Sequence, residues 1–360
     1  MGVSPVVAPK INTRLLAKIA NDARKTAAAL HLLYVSNQEE GIERKKVDDG
    51  FVYTLDGKKI KDEETLIRIK RLAIPPAWEN VWICKSDTGH LQATGLDLLG
   101  RKQYRYHESW GMIRNQTKFY RMLAFGEALP QIRKQLQKDL AIPDFTQAKV
   151  LAIVVTLLES THIRVGNLQY EKLYGTYGLS TFKNKHLKLE GNRIQFVFKG
   201  KKGINHDISI SNRKLATVIA QVKDIPGKEL FQYFDDNGLK HRIDSGMVNS
   251  YIKSLADAEF TAKDFRTWAG TLHALNFYKS QETEELSSSA LHRKSLEMLD
   301  YVAEKLGNTR SVCKKYYVNP MLVELYEQGK LEKILKKQDL ESLPFYTDEE
   351  LILLNILGKK

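Results

Sequence analysis

The sequence predicts an α+β protein: a small, mostly antiparallel β-sheet N-terminal domain followed by a mainly α-helical domain with a small β insert. Three observations predict it. Short β-type runs separated by Gly, Asp and Asn turn signals fill residues 30–107. Apolar residues at three- and four-residue spacing take over after Trp110. Alternating residues then return once, between Ser180 and Ser211. The chain of 360 residues is long enough for two cores. The expected division is an N-terminal extension (1–28), a β-rich domain (29–110), a mainly helical domain (111–330) and a C-terminal helical tail (331–360).

A helix-like stretch runs from Thr13 to Ala29. The β-type runs are Leu30–Val35, Gly50–Leu55, Val81–Lys85, His90–Thr94 and Lys102–Tyr106. One helix, Asp62–Leu72, interrupts them and must stop before Pro75-Pro76, because proline disfavours a helical residue before it. Helical periodicity marks Ser109–Ala124, Leu129–Leu140 and Gln147–His162. The insert follows, with strands Lys185–Leu189, Arg193–Lys199 and His206–Ile210 turning at Gly191-Asn192 and Gly200–Gly203. The remaining helices are Asn212–Lys223, Ser245–Leu255, Thr261–Tyr278, Ser288–Leu306, Pro320–Glu327 and the tail. The four tryptophans, Trp78, Trp82, Trp110 and Trp268, read as core.

Lys and Arg number 56 against 43 Asp and Glu, a formal charge of +13. Residues 331–360 hold five Lys and six acids, so the whole excess lies in the body of the chain. A basic body attracts polyanions, of which a phosphate backbone is the commonest. The two cysteines, Cys84 and Cys313, form no CxxC pair and no ligand spacing with histidine, which argues against a disulfide framework and a structural zinc. No signal-peptide core and no run of about 20 apolar residues is present, so a cytoplasmic setting without membrane is expected.

Four islands carry polar chemistry. Ser160-Thr-His-Ile-Arg-Val-Gly-Asn167 sets Arg164 at the end of an apolar helix. Lys263-Asp-Phe-Arg-Thr-Trp-Ala-Gly270 sets Arg266 in an apolar, aromatic helix. Burying an arginine is costly without an anionic partner, which Glu159 or Asp264 could supply. Phe198-Lys-Gly-Lys-Lys-Gly-Ile-Asn-His-Asp207 is a Gly-flanked lysine hairpin. Leu306-Gly-Asn-Thr-Arg-Ser-Val-Cys-Lys-Lys-Tyr-Tyr-Val-Asn-Pro320 ends one helix at Gly307 and offers Asn308-Thr309 as a polar cap for the next. Taken singly, each has an ordinary structural use: an ion pair, an exposed turn, a capped helix.

Together, in this order and spacing, the islands resemble the catalytic segments of poxvirus-like type IB DNA topoisomerases. The likeness extends to Ile74-Pro-Pro-Ala-Trp78, Gly100-Arg-Lys-Gln-Tyr-Arg-Tyr-His107 and Thr181-Phe-Lys-Asn-Lys-His-Leu187, covering roughly residues 65–320. The resemblance implies a β-rich DNA-clamping domain and a helical catalytic domain that hold duplex DNA from opposite sides. It implies Tyr317 as nucleophile, nine residues after Asn308 and just before Val318-Asn-Pro320. Arg164 and Arg266 become the two arginines on the scissile phosphate. Lys201, 37 residues after Arg164, becomes the general acid. Asn308 stands where poxvirus enzymes have histidine, so it can donate a hydrogen bond but no proton. Arg101, Lys102, Gln103, Tyr104 and Tyr170 are implied as DNA contacts.

The chemistry is defensible from the residues. A five-coordinate phosphorane-like transition state gathers charge on its non-bridging oxygens, which two planar guanidiniums can take bidentately. A hairpin lysine can protonate the leaving 5′ oxygen. A tyrosyl–phosphate bond conserves the energy of the one it replaces, so resealing needs no ATP. No metal and no cofactor is expected, and the partner is double-stranded DNA bound by a monomer, in the nucleoid if the source is bacterial. Two alternatives remain at this stage. A tyrosine recombinase uses a similar Arg/Lys/Arg/Tyr set, but usually shows His-x-x-Arg where this chain has Lys263-Asp-Phe-Arg266, and a helical N-terminal domain. A catalytically dead DNA-binding protein is the other.

Overall fold

A computed structural model of the chain describes residues 22–48, 50–98, 100, 102–281, 287–336 and 341–358. Its contacts divide the chain into two compact units, Met1–Arg121 and Met122–Lys360. The architecture is the expected mixture of α and β.

The first unit opens with α1 (Ala23–Ala29), capped by the Asp22 carboxylate, which accepts from the Arg24 and Lys25 amides. Residues 13–21 of the expected helix lie outside the described residues. Six antiparallel strands follow: β1 (Ile42–Val47), β2 (Gly50–Leu55), β3 (Lys58–Lys59), β4 (Glu79–Ile83), β5 (Leu91–Leu96) and β6 (Lys102–Tyr106), in the spatial order β3-β2-β1-β4-β5-β6. Between β3 and β4 lies α2 (Glu63–Arg71), whose first turn is held by the Asp62 carboxylate accepting from Thr65 N–H at 2.8 Å.

Two expectations fail in this unit. Leu30–Val35 is no strand: only Leu33 bridges to Gly89, while Leu30 and Leu32 bury against Ala27, Trp110 and Ile113. Conversely, β1 has no apolar alternation to announce it, since its residues are Ile-Glu-Arg-Lys-Lys-Val. Tertiary pairing makes it an inner strand. Arg44 repays that placement by donating to the carbonyls of Pro75 (3.1 Å) and Trp78 (2.6 Å), which fixes the Pro75-Pro76 corner. Ile42, Ile69, Val81, Ile83 and Ala93 form the core beneath the sheet.

Helix α3 (Glu108–Leu140) contains the unit boundary and is continuous where two helices were expected, with Pro130 in its interior. An interior proline normally costs about 3 kcal/mol of helix. Here Met122, Phe125, Leu129, Ile132 and Leu136 are all buried at helical spacing, so packing carries the helix through.

In the second unit, α4 (Gln147–Thr161) is buried over most of its length and ends at His162 in the left-handed conformation (φ 55°). After α5 (Leu168–Tyr174) comes the insert, an antiparallel sheet of β7 (Leu187–Glu190), β8 (Arg193–Lys199) and β9 (Asn205–Ser211). Next come α6 (Arg213–Lys223), the pair β10 (Gln232–Phe234) and β11 (Lys240–Arg242), α7 (Ser245–Ala256) and α8 (Ala262–Lys279). The chain closes with α9 (Ser288–Leu306), α10 (Arg310–Tyr316), α11 (Pro320–Glu327), α12 (Leu331–Lys336) and α13 (Asp348–Gly358). The tail is part of this core. Glu350 of α13, 2 % exposed, accepts from Arg133 of α3 and from the Trp268 indole of α8 (3.1 Å). Trp110 and Trp268 are buried and Trp78 and Trp82 half-buried. Among the described residues no helix is long and apolar enough to cross a membrane.

Candidate active site

Arg164 follows α4 on an extended segment whose neighbours Ile163 and Val165 are buried, so alternation turns the guanidinium the other way. The segment is pinned by Leu179 N–H donating to the Arg164 carbonyl (3.0 Å) and Ser180 N–H to the Val165 carbonyl (2.6 Å). Arg266 sits in the buried face of α8 and is 4 % exposed. Both reach the same place, the C-terminal end of α9. Arg164 donates to the Gly307 carbonyl (3.1 Å) and to Asn308 Oδ1; Arg266 donates to the Leu306 carbonyl (2.8 Å). Those carbonyls lie at the end of a helix, where ladder partners run out and the helix dipole is negative.

Neither carboxylate suggested by the sequence serves these arginines. Glu159 pairs with Arg133 at 2.8 Å, and Asp264 closes a capping box with Thr261 at the start of its own helix. Among the described residues Arg164 and Arg266 have no carboxylate partner, and the Arg266 Nε–H is buried with no hydrogen bond. A buried ion left to neutral carbonyls carries a penalty of several kcal/mol, on the order given by desolvation. Two such ions side by side make a receptor for an anion. Burial and the nearby Arg266 lower the Arg164 pKa, while Tyr317 and Cys313 act in the opposite sense.

Asn308 does not cap α10. That position belongs to Thr309, which makes no side-chain capping bond. Because Arg164 can only donate, the Asn308 atom facing it must be the oxygen, which turns Nδ2 away. Nδ2 is buried and, among the described residues, has no hydrogen-bond partner.

Lys201 stands in the turn between β8 and β9, a single 3₁₀ turn closed by Gly203 N–H donating to the Gly200 carbonyl (3.0 Å). It lines a pocket with Arg164, Arg266, His162, His206, Leu306 and Gly307. Asn308 and Tyr317 do not line that pocket and join it through the arginines. Tyr317 is the residue at which α10 stops, with φ −128° and ψ −21°. Its carbonyl accepts from the Thr271 hydroxyl (3.1 Å), and a Cβ on Gly270 would come within 2.9 Å of the Tyr317 Cβ, so glycine there permits the approach of α8. The Tyr317 ring centroid is 5.3 Å from the Arg266 guanidinium carbon. Tyr316 faces Lys263 and Lys315 instead, each at 5.4 Å.

In the first unit, β6 exposes Lys102, Tyr104 and Tyr106 on one face and half-buries Gln103 and Arg105 on the other, as alternation requires. Tyr104 and Tyr106 stack with centroids 5.9 Å apart, and Lys102 Nζ lies 5.9 Å from the Tyr104 ring. Gln103 Nε2 donates to Asp97 (2.9 Å) and Lys102 Nζ to Asn37 (2.9 Å). Arg101 lies outside the described residues. Tyr170 is on α5, tilted against Tyr174 at 5.9 Å, and is not among the residues lining the pocket.

The family described as eukaryotic DNA topoisomerase I, catalytic core, matches residues 89–341, and that described as bacterial DNA topoisomerase IB, N-terminal domain, matches residues 50–97. The DNA topoisomerase 1B of Acanthamoeba polyphaga mimivirus is 32% identical over 300 residues, covering 81% of this chain and 88% of that protein. The chain belongs to the DNA topoisomerase IB family. Two further relatives are each 24% identical. The DNA topoisomerase 1B of Vaccinia virus (strain Copenhagen) matches over 247 residues, 68% of this chain and 74% of its own; the DNA topoisomerase 1 of Rabbit fibroma virus (strain Kasza) matches over 286, 75% and 87%.

Sequence reasoning passed over the histidines of this topoisomerase IB pocket. His162 and His206 line it, and His273 packs edge-on against His162 at 5.1 Å. Burial, then His273 and Arg266, push the His162 pKa down to about 3; burial, then Arg164 and Arg266, lower that of His206. Burial, then Lys305, lower the pKa of His273 as well. Beneath the arginines the buried Cys313 thiol is pushed up to about 11 by burial, against the pull of Arg266 and Arg164. Among the described residues no group of three His, Cys, Asp or Glu side chains converges as metal ligands would.

Proposed function

We propose that this chain is a topoisomerase of the small, poxvirus-like kind, which relaxes supercoiled double-stranded DNA in the cytoplasm as a monomer, without metal or nucleotide. The observation that carries the reading is the pair Arg164–Arg266: one half-buried and one buried guanidinium, tethered among the described residues only to carbonyls and an amide oxygen, beside a tyrosine ring. In this reading the scissile phosphate's non-bridging oxygens take the free guanidinium N–H groups and the Asn308 Nδ2–H. The Tyr317 oxygen, its proton passed to solvent, attacks phosphorus. The P–O5′ bond breaks, and Lys201 gives a proton to the departing 5′ oxygen. The products are a 3′-phosphotyrosyl enzyme and a free 5′-hydroxyl end, which can rotate about the intact strand. Reversal restores the DNA and both protons, so nothing is consumed.

Lys102, Gln103 and Tyr104 on β6, with Arg101 and Tyr170, are the proposed duplex contacts. Exposed cations beside stacked phenols suit phosphate and sugar contacts. The test is relaxation of supercoiled plasmid in EDTA without ATP, with covalent complexes trapped by denaturant. Relaxed topoisomers and a DNA adduct on Tyr317 are expected. Binding without relaxation, or strand exchange in its place, overturns the proposal.

A further inference from the structure

We infer that His206 is a positioning residue that sets the reach of Lys201 toward the arginine pair. The inference rests on the proton-donor reading of Lys201 above. His206 lies at the start of β9, opposite Phe198 of β8, and its ring stacks on Phe198 at 5.0 Å with 21° between planes. That puts the imidazole at the root of the turn that carries Lys201. On one side the ring meets Gly200: a Cβ there would lie 2.6 Å from Cδ2 and 2.7 Å from Nε2. On the other it meets Gly307: a Cβ there would lie 2.5 Å from Cε1.

The imidazole therefore fills the space between the lysine turn and the end of α9, and the end of α9 is where both arginines are tied. Gly307 is left-handed (φ 57°) and closes the helix, which alone favours glycine. Gly200 has φ −93° and ψ −167°, a conformation open to any residue. Its lack of a side chain is explained by the ring that packs on it. Among the described residues neither nitrogen of His206 has a hydrogen-bond partner, so the ring's contribution is its shape. Burial and then the two guanidiniums lower its pKa, which disfavours a third positive charge in the gap it fills. Reacting groups must meet within about an ångström, and a misplacement of that size costs about 10²-fold in rate.

The test is single-turnover cleavage of duplexes with oxygen or sulfur at the bridging 5′ position, by His206→Ala, Lys201→Ala, the double variant, Gly200→Ala and His206→Phe, with melting curves for each. A thiolate leaves without protonation, so sulfur removes the need for the acid. His206→Ala should slow the oxygen substrate by about 10–10² and the sulfur substrate far less. The double variant should be no slower than Lys201→Ala, since both losses act through one group. Gly200→Ala, which crowds the ring from the turn side, should show the same oxygen-selective defect and carries the test if His206→Ala does not fold. His206→Phe, which keeps a stacked ring in the gap, should restore part of the lost rate. Equal slowing on both substrates, additive losses, or a His206→Phe no better than His206→Ala would overturn the role. If sulfur fails to rescue Lys201→Ala, it is the proton-donor reading that falls; if it rescues Lys201→Ala but not His206→Ala, only the role of His206 falls.

Discussion

Strand β6 and the pocket at the end of α9 both gather positive charge, under opposite conditions. On β6 the cation is Lys102, exposed to water and lying beside an exposed tyrosine. In the pocket the cations are Arg266, buried, and Arg164, half-buried, both held by carbonyls. Water and salt screen the first kind within about 10 Å, so each such contact adds little and many are needed. The second kind is screened far less, and its field acts on whatever anion enters. An exposed cation can hold a polyanion; a buried, unpaired one can change the energy of a reaction at it.

The largest effect that could break this contrast lies in the pocket. Tyr317→Phe should abolish covalent attachment while DNA binding persists, and Tyr316→Phe should keep its activity, because only Tyr317 stands against Arg266. Peptide mapping of the trapped adduct checks it, and an adduct on Tyr316 would reverse the assignment.

Asn308 comes next. Losing one preorganised donor costs about 10²–10³ in rate, so Asn308→Ala should be slow but active. Asn308→Asp keeps an oxygen for Arg164 yet replaces the unpartnered Nδ2–H by a carboxylate oxygen facing the phosphate. It should be at least as impaired, whereas Asn308→His should recover much of the rate. Cleavage rates at saturating DNA decide; a near-normal Asn308→Asp would remove the donor role.

A smaller effect is expected on β6. Lys102→Ala should weaken binding a few-fold, alike on all sequences, and reduce the slope of log K against log salt by about 1. Titration at several salt concentrations measures it, and an unchanged slope would take Lys102 off the DNA.

The smallest concerns stability. His162 is neutral in the folded chain down to a pKa of about 3, against 6.5 ordinarily. Between those values the unfolded chain binds the extra proton, so this contribution is present above about pH 6.5 and lost as pH falls toward 3. His162→Asn tolerates the left-handed backbone and has nothing to titrate, so its melting temperature should fall less between pH 7 and pH 5 than that of the parent. Parallel curves for the two proteins would show that His162 is protonated when folded.

Much of the fold is local and could be read in advance. Asp62, Asn212, Thr261 and Ser287 cap helices that begin within a residue of where their side chains suggest, and β6, β8, α9 and α11 run as expected. Periodicity and capping act over a few residues, so sequence carries them. Strand β1 was illegible because its place in the sheet depends on the pairing of β2 and β4, not on apolar alternation. The single helix Glu108–Leu140 was read as two, because the buried stripe that carries it through residues 125–128 shows only once it is packed.

The same division runs through the candidate site. The resemblance to a known family grouped Arg164, Lys201, Arg266, Asn308 and Tyr317 as one proposed set, and their residue types suit phosphate chemistry, which calls for planar cations, a proton donor and a nucleophile. Partner choice was not legible. The Arg164 bond to Gly307 spans 143 residues, and nothing local tells whether that guanidinium meets a carbonyl or a carboxylate. Only packing sent Glu159 to Arg133, kept Asp264 on its own cap and set His206 between Gly200 and Gly307. Sequence thus decides which chemistry is available, through short-range propensity and residue type, while the long-range packing of α8 and α9 decides which charges are left without a partner.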